Sequence, residues 1–308
     1  MERWYVICNP ASGRSSGHSN RSRLEHGLRA AGIAHQIAMS EYPGHAAELA
    51  RAACGNEWRR IAIAGGDGTA HQALNGILGS GFADLAHMTL GVLPLGTGND
   101  WARTLGVPTN VESACHVLGA GQAVFHDVGE LTLRIDGQPA IRHFINMAGA
   151  GFDAHVVRLV QTRGDRYWRY ITGLLQGAHT FRAPELTISA AGFRYEGPTL
   201  VAFLNIGRYL GGGMRVAPQA RFDDGLFELT VVHSMSVPRL FANLPRLALG
   251  NLAGSHLVSV ARAASVSIAG DTLIEADGEL LGRTPASFRT IARALRVMVP
   301  RPGKYAQW

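Results

Sequence analysis

Short apolar runs alternate with stretches of helical period along the first part of the chain. Arg3–Cys8 reads as a strand, Arg21–Ala31 and Gly44–Ala53 as helices, and Arg60–Ala64 as a second strand. Ala70, Ala73, Leu74, Ile77 and Leu78 then recur at i, i+3, i+4, i+7 and i+8, which is one face of a helix. Thr89–Leu93 is a further apolar run before another helix. Strand and helix in alternation predict a parallel sheet covered by helices, an architecture that gathers ligands at the C-terminal ends of its strands. From about Val124 the period becomes two. Leu131–Ile135 alternates, Asp136-Gly137 is a turn signal, and Ile141–Met147 returns, which together predict a hairpin. Glu185–Ala190, Leu200–Ile206, Phe227–Val232, Leu257–Ile268 and Ala294–Val299 extend this texture. The predicted class is therefore α/β plus β, a parallel-sheet domain followed by an antiparallel sandwich or barrel.

With 308 residues, 46% hydrophobic and 17% charged, the chain suits two globular domains, and general disorder is excluded. The apolar stretch at the start is too short for a signal peptide and no later run approaches bilayer length, so a cytoplasmic protein without an integral anchor is expected. Cys8, Cys54 and Cys115 share no CxxC spacing and read as buried thiols. The net charge of +6 fits phosphate-rich ligands, anionic membranes and nucleic acid equally well. Lys304 is the only lysine, which excludes a phosphate loop ending in Gly-Lys-Ser/Thr. The arginines are dispersed and no nucleic-acid motif is present, so nucleic acid is not an expected partner.

Three glycine-bearing segments, Asn9–Gly13, Gly65–Thr69 and Gly96–Thr97, each follow a predicted strand and precede a helix. Glycine permits close backbone approach there, and the amides of a turn and a helix N-terminus can then face a phosphate. Three such loops at neighbouring strand ends would form one polyphosphate cradle. Asp67 and Asp100 lie inside these loops, where carboxylates repel an anion unless a cation intervenes; Mg²⁺ resolves the conflict. Arg14, Arg103 and Asp127 join Asp67 and Asp100 in a network balancing carboxylate and phosphate charge, with a structural ion pair the competing reading for Arg14 and Asp127.

The segments Asn9-Pro10-Ala11-Ser12-Gly13, Gly65-Gly66-Asp67-Gly68-Thr69-Ala70-His71-Gln72-Ala73-Leu74-Asn75-Gly76 and Pro94-Leu95-Gly96-Thr97-Gly98-Asn99-Asp100-Trp101-Ala102-Arg103 resemble three signatures of the diacylglycerol kinase catalytic-domain family, which includes bacterial soluble lipid kinases and sphingosine kinases. The likeness continues in order through Asp223-Asp224-Gly225-Leu226 and Asp277-Gly278-Glu279. It implies a Rossmann-like ATP-binding domain over residues 1–124 and a β-sandwich lipid domain over 125–299, with the tail 300–308 packing back on the first domain. It also implies nucleotide contacts from Asn9, Ser12, Ser40, Gly65, Gly66, Asp67, Gly68, Thr69, His71, Gly96, Thr97 and Asn99. Ser40 stands where the family usually has threonine, and Gln72 where many members have glutamate.

The paired carboxylates Asp223 and Asp224 read either as a solvated turn or, by resemblance, as a metal site. In the second case Asp224 and its neighbour Asp223 supply carboxylates and Arg221 and Leu226 backbone carbonyls. Asp277-Gly278-Glu279 resembles the family's catalytic turn. There Asp277 would remove the acceptor proton and Glu279 would order Mg²⁺ or nucleotide, or the two roles would be exchanged; Asp67 completes the catalytic set. The implied activity is ATP- and Mg²⁺-dependent phosphorylation of diacylglycerol or a related lipid.

Arg158, Arg163, Arg166, Arg169 and Arg182 lie close in sequence to Tyr167, Trp168, Tyr170 and Phe181. They suit either a core-packed helix or a peripheral contact with the inner face of an anionic membrane, where the lipid substrate would be met. A homodimer is compatible with the sequence. Gly149-Ala150-Gly151-Phe152-Asp153-Ala154 fits G-x-G-x-x-A, but it lies in the β-rich half without the expected acidic partner, so a dehydrogenase is not expected. A NAD kinase-like enzyme with a soluble acceptor and a non-catalytic lipid or nucleotide sensor remain as alternatives.

Overall fold

The computed structural model describes residues 3–13, 17–82, 85–135, 137–161, 180–235, 239, 242–243 and 257–302. In chain order the elements are β1 (Trp4–Cys8), α1 (Gly17–Ala30), β2 (His35–Met39), α2 (His45–Gly55), β3 (Arg60–Gly65), α3 (Asp67–Leu78), β4 (Thr89–Pro94), α4 (Asp100–Thr104) and α5 (Val111–Ala120). The chain continues with β5 (Gln122–Ile135), β6 (Gln138–Phe144), β7 (Met147–Gly151), α6 (Phe152–Gln161), β8 (Glu185–Ala190), β9 (Phe193–Asn205), β10 (Phe227–His233), β11 (Val258–Ala263), β12 (Ser265–Ala269), β13 (Leu273–Ala276), β14 (Glu279–Arg283) and β15 (Ala286–Val299).

These elements form two compact units. The first runs through Val128 and adds Tyr209–Gly213 and the chain from Ala292; the second comprises Gly129–Arg208 and Met214–Ile291. The change of texture near Val124 falls just inside β5. β5 and β15 are each 14 residues long, and the chain passes between the units within them.

In the first unit a parallel sheet has the order β2-β1-β3-β4, and the C-terminal end of β15 joins β4 in parallel. β1 and β4 are buried along their whole length, as expected of parallel strands covered on both faces. β2 escaped the sequence reading because it is a half-exposed edge strand with no continuous apolar run. The helix expected over 21–31 starts earlier, at Gly17. α3 packs closely on α2 because residue 76 is glycine: a Cβ there would lie 2.1 Å from the Ala47 carbonyl oxygen. Parallel pairing in matched register places Asn9, Ser40, Gly66 and Leu95, each just past a paired strand end, at one edge of the sheet.

The second unit is an antiparallel β-sandwich. One sheet runs β9-β8-β12-β15 with β5 and β6 beyond; the other runs β14-β13-β7-β9-β10-β11. β9 serves both, pairing with β8 through Phe193–Pro198 and with β7 through Val201–Asn205. Phe144, Phe227 and Phe288 meet in the core, with ring centroids 5.7 and 6.5 Å from Phe144. The β-rich runs Ile141–Met147 and Leu257–Ile268 are each divided, the first at Ile145-Asn146 and the second at Ala264. All three cysteines are free and buried, as expected.

Candidate active site

The loop after β1 is tied to α3: Asn9 Nδ2 donates to Thr69 Oγ1 at 3.1 Å, and Asn9 Oδ1 accepts the Ala11 amide at 2.9 Å. The loops after β3 and β4 touch backbone to backbone, since a Cβ on Gly96 would lie 2.5 Å from Gly66 Cα. A Cβ on Gly13, at φ +78°, would lie 2.3 Å from the Leu95 carbonyl oxygen. Glycine at 13, 66 and 96 thus lets the three loops approach one another, and the loops after β1 and β4 border a cavity of about 340 Å³ lined by Ser12, Gly13, Gly96, Thr97, Asn99 and Arg103 among others. Its rim is largely backbone and hydroxyl, with the Arg23 and Arg103 side chains adding positive charge. That chemistry suits a polyanion.

Two carboxylates stand behind these loops. Asp67 accepts the amides of Asp100 (3.2 Å) and Trp101 (3.0 Å), so it caps α4 from the first turn of α3. Asp100, buried, accepts the Gly212 amide at 2.9 and 3.1 Å. Gly211, Gly212 and Gly213 all have positive φ (65°, 91° and 111°), a conformation that glycine alone adopts cheaply. The two carboxylates converge on Gly98, where a Cβ would lie 3.1 Å from Asp67 Oδ2 and 3.5 Å from Asp100 Oδ2. Burial, and then the Asp67 charge, push Asp100 up to about 6 against the pull of the Gly212 and Gly213 amides and of Arg103. Asn99 sits in the left-handed region at φ 54° and its buried Oδ1 accepts no hydrogen bond.

In the second unit Asp277 and Gly278 both have positive φ, 49° and 85°, and form the two-residue turn between β13 and β14. The Asp277 carboxylate is buried and accepts three amides: Ile145 at 2.9 Å, Asn146 at 3.0 Å and Met147 at 3.1 Å. This explains the break between β6 and β7, where the backbone turns its donors to a side chain more than a hundred residues later. Asp224 accepts the Leu226 amide at 3.1 Å and pairs with Arg262, while Asp223 pairs with Arg221 at 3.2 Å.

The profile described as Diacylglycerol kinase catalytic domain matches residues 3–131, and that described as YegS C-terminal NAD kinase beta sandwich-like domain matches residues 146–299. The chain belongs to the diacylglycerol kinase catalytic-domain family. It is a kinase. A diacylglycerol kinase of Bacillus subtilis (strain 168) is 28% identical across 98% of this chain and 97% of its own length. One from Staphylococcus aureus (strain MRSA252) is 28% identical across 96% and 91%. In fold, a crystal structure of a diacylglycerol kinase from Bacillus anthracis str. Sterne superposes with a TM-score of 0.73 at 23% identity, covering 98% of this chain and 97% of that one. Yeast NADH kinase complexed with NADH superposes at 0.50 with 10% identity, covering 97% and 84%.

Within this kinase the structure brings together Asn9, Ser12, Gly65, Gly66, Asp67, Thr69, Gly96, Thr97, Asn99, Asp100 and Arg103 around the three loops. Gly68 lies in the first turn of α3, and the Ser40 amide donates to the Cys8 carbonyl at the same sheet edge. His71 is buried with its ring against Asn75 one turn along α3. Gln72 Oε1 accepts the Gly44 amide at the start of α2 (3.2 Å), a contact in which a glutamate oxygen would serve equally. Asp127 is fully buried and accepts the Arg293 amide at 2.7 Å, joining β5 to β15. Arg14 and the basic aromatic stretch Arg163–Tyr170 lie outside the described residues.

Sequence reasoning missed the Gly212 amide on Asp100, the Arg262 partner of Asp224, and two acids, Asp153 and Glu275. Among the described residues no helix is long and apolar enough to cross a membrane.

Proposed function

We propose that this kinase transfers the γ-phosphoryl group of ATP to a hydroxyl of diacylglycerol or a related lipid. The observation that carries the reading is the close approach of three strand-end loops, two of which border one cavity, with Asp67 and Asp100 brought together beside Gly98. The names of relatives aligned over nearly the whole chain support the lipid acceptor.

The residues fit a hard divalent cation. Two buried or half-buried carboxylates converge, and Asn99 contributes a carbonyl oxygen that nothing else satisfies. Among the described residues no cluster of three or more His, Cys, Asp or Glu forms a cage, so the rest of the shell would be water and substrate phosphate, as Mg²⁺ prefers. Bound there, Mg²⁺ would supply charge neutralisation for the phosphates. The Asp224 turn is a weaker candidate, because Arg262 already balances that carboxylate.

The chain's own groups divide the remaining work. Backbone amides of the glycine loops and the first turn of α3 bind and orient the phosphates. Of the roughly four lone-pair sites of the Asp277 carboxylate, three are taken by amides, which makes it an anchor for the turn. Glu279, partly exposed on the other side of that turn, then takes the acceptor proton. Glu279→Gln is expected to lower kcat by about 10²–10⁴ with the melting temperature unchanged, which steady-state kinetics and calorimetry check together. An equal loss of melting temperature would make Glu279 structural.

The acceptor is tested with labelled ATP and a panel of diacylglycerol, phosphatidylglycerol, a sphingoid base and a prenyl alcohol in mixed micelles, with NAD as the soluble alternative. Label in a lipid is expected. Label in NAD alone would overturn the lipid reading and leave a NAD kinase-like enzyme.

A further inference from the structure

Two acids outside the loops described above are packed beneath the Asp277-Gly278 turn. Asp153 lies in the first turn of α6 and Glu275 on β13; Glu275 is buried to 2% exposure, and Asp153 is half-buried with its Oδ2 enclosed. β7 and β13 pair so that Gly149 stands directly opposite Glu275. Side chains at such paired positions share a face of the sheet with Cβ atoms about 5 Å apart. Residue 149 has no Cβ, and the Asp153 carboxyl takes its place: a Cβ built on Gly149 would fall 1.5 Å from Asp153 Oδ2. The cross-strand neighbour of Glu275 is therefore another carboxyl.

Each acid has one oxygen occupied and one left over. Asp153 Oδ1 accepts the Ala154 amide at 2.7 Å, and Glu275 Oε2 accepts the Gly278 amide, inside the turn, at 2.8 Å. Asp153 Oδ2 and Glu275 Oε1 are buried and meet no other donor. Two adjacent buried carboxyls with one leftover oxygen each are satisfied by a single proton between them.

We propose that Asp153 and Glu275 share one proton and act together as a positioning pair that fixes the Asp277-Gly278 turn. Only the assignment of that turn to the reaction rests on the kinase reading. The shared proton removes one of two buried like charges and leaves Glu275 Oε2 to hold the Gly278 amide. Among the described residues, Gly149 of β7, the Ala154 amide of α6, and Asp277 and the Gly278 amide of the turn face the pair. Burial raises both acids: it pushes Asp153 up to about 7 against the pull of the Ala154 amide and of its hydrogen bond with Glu275, and Glu275 well above the ordinary range, the Asp153 and Asp277 charges adding to burial there. A proton held more tightly folded than unfolded contributes stability that is present at acid pH and lost as pH rises through the folded value.

The test follows melting temperature and kcat from about pH 5 to about pH 9 for the intact chain and for Glu275→Gln, Asp153→Asn and Glu275→Ala. The wild type should lose melting temperature as pH rises through neutrality. Either amide variant should flatten that slope, because an amide N–H stands permanently where the shared proton was. Both should keep most of the activity at neutral pH. Glu275→Ala should lower kcat with little change in the KM for ATP. Amide variants with the wild-type slope, or as damaging as alanine, would overturn the proposal. The melting arm needs no substrate, so absence of lipid phosphorylation would count against the lipid reading alone.

Discussion

Asp277→Asn is expected to cost both activity and stability. One amide oxygen can still accept the Asn146 and Met147 N–H groups, but the NH₂ must then face the Ile145 N–H, donor against donor. A buried amide left without its acceptor costs about 1–3 kcal/mol. Because Ile145 and Asn146 are where β6 passes to β7, the loss loosens the turn that carries Glu279, and kcat should fall by about 10²–10⁴, as for a displaced acid–base group. Chemical denaturation and steady-state kinetics measured on the same preparation check this, and a variant with native stability and native kcat would show that the three amides hold nothing of consequence.

Asp67→Ala is the second large effect, and its pattern should differ. The carboxylate caps α4 through the Asp100 and Trp101 amides, and removing a cap costs about 0.5–2 kcal/mol. In the other direction, deletion relieves the repulsion between Asp67 and the buried Asp100. The net change in stability should therefore be small while turnover falls by about 10²–10³, the range seen when one group that stabilises transition-state charge is removed. Thermal melting beside a turnover assay separates the two: a large loss of stability with little loss of turnover would reduce Asp67 to a helix cap.

The glycine loops were legible in the sequence because their signal is local. Asn9–Gly13, Gly65–Thr69 and Gly96–Thr97 each carry their own strand before and helix after, and parallel pairing then needs no further information to bring them to one edge. The conflict of Asp67 and Asp100 with an anion was visible for the same reason. What stayed hidden depends on register between distant strands. That Gly212 donates to Asp100, 112 residues away, follows only once the chain has returned to the first unit. The Asp153–Glu275 pair requires Gly149 to be opposite Glu275, a fact of β7–β13 alignment that no alternation pattern specifies. Arg262 reaches Asp224 from β11, so an isolated acidic turn in the sequence is an ion pair in the fold.

The measurement that tests the central claim most directly is transfer of labelled γ-phosphate from ATP into micellar diacylglycerol, with Mg²⁺ and after chelation, for the wild type and Asp67→Ala. Phosphate cradled by three backbone loops, with a cation at Asp67 and Asp100, predicts label in the lipid that depends on Mg²⁺ and nearly vanishes in the variant. Undiminished transfer after chelation, or equal transfer by Asp67→Ala, would contradict it.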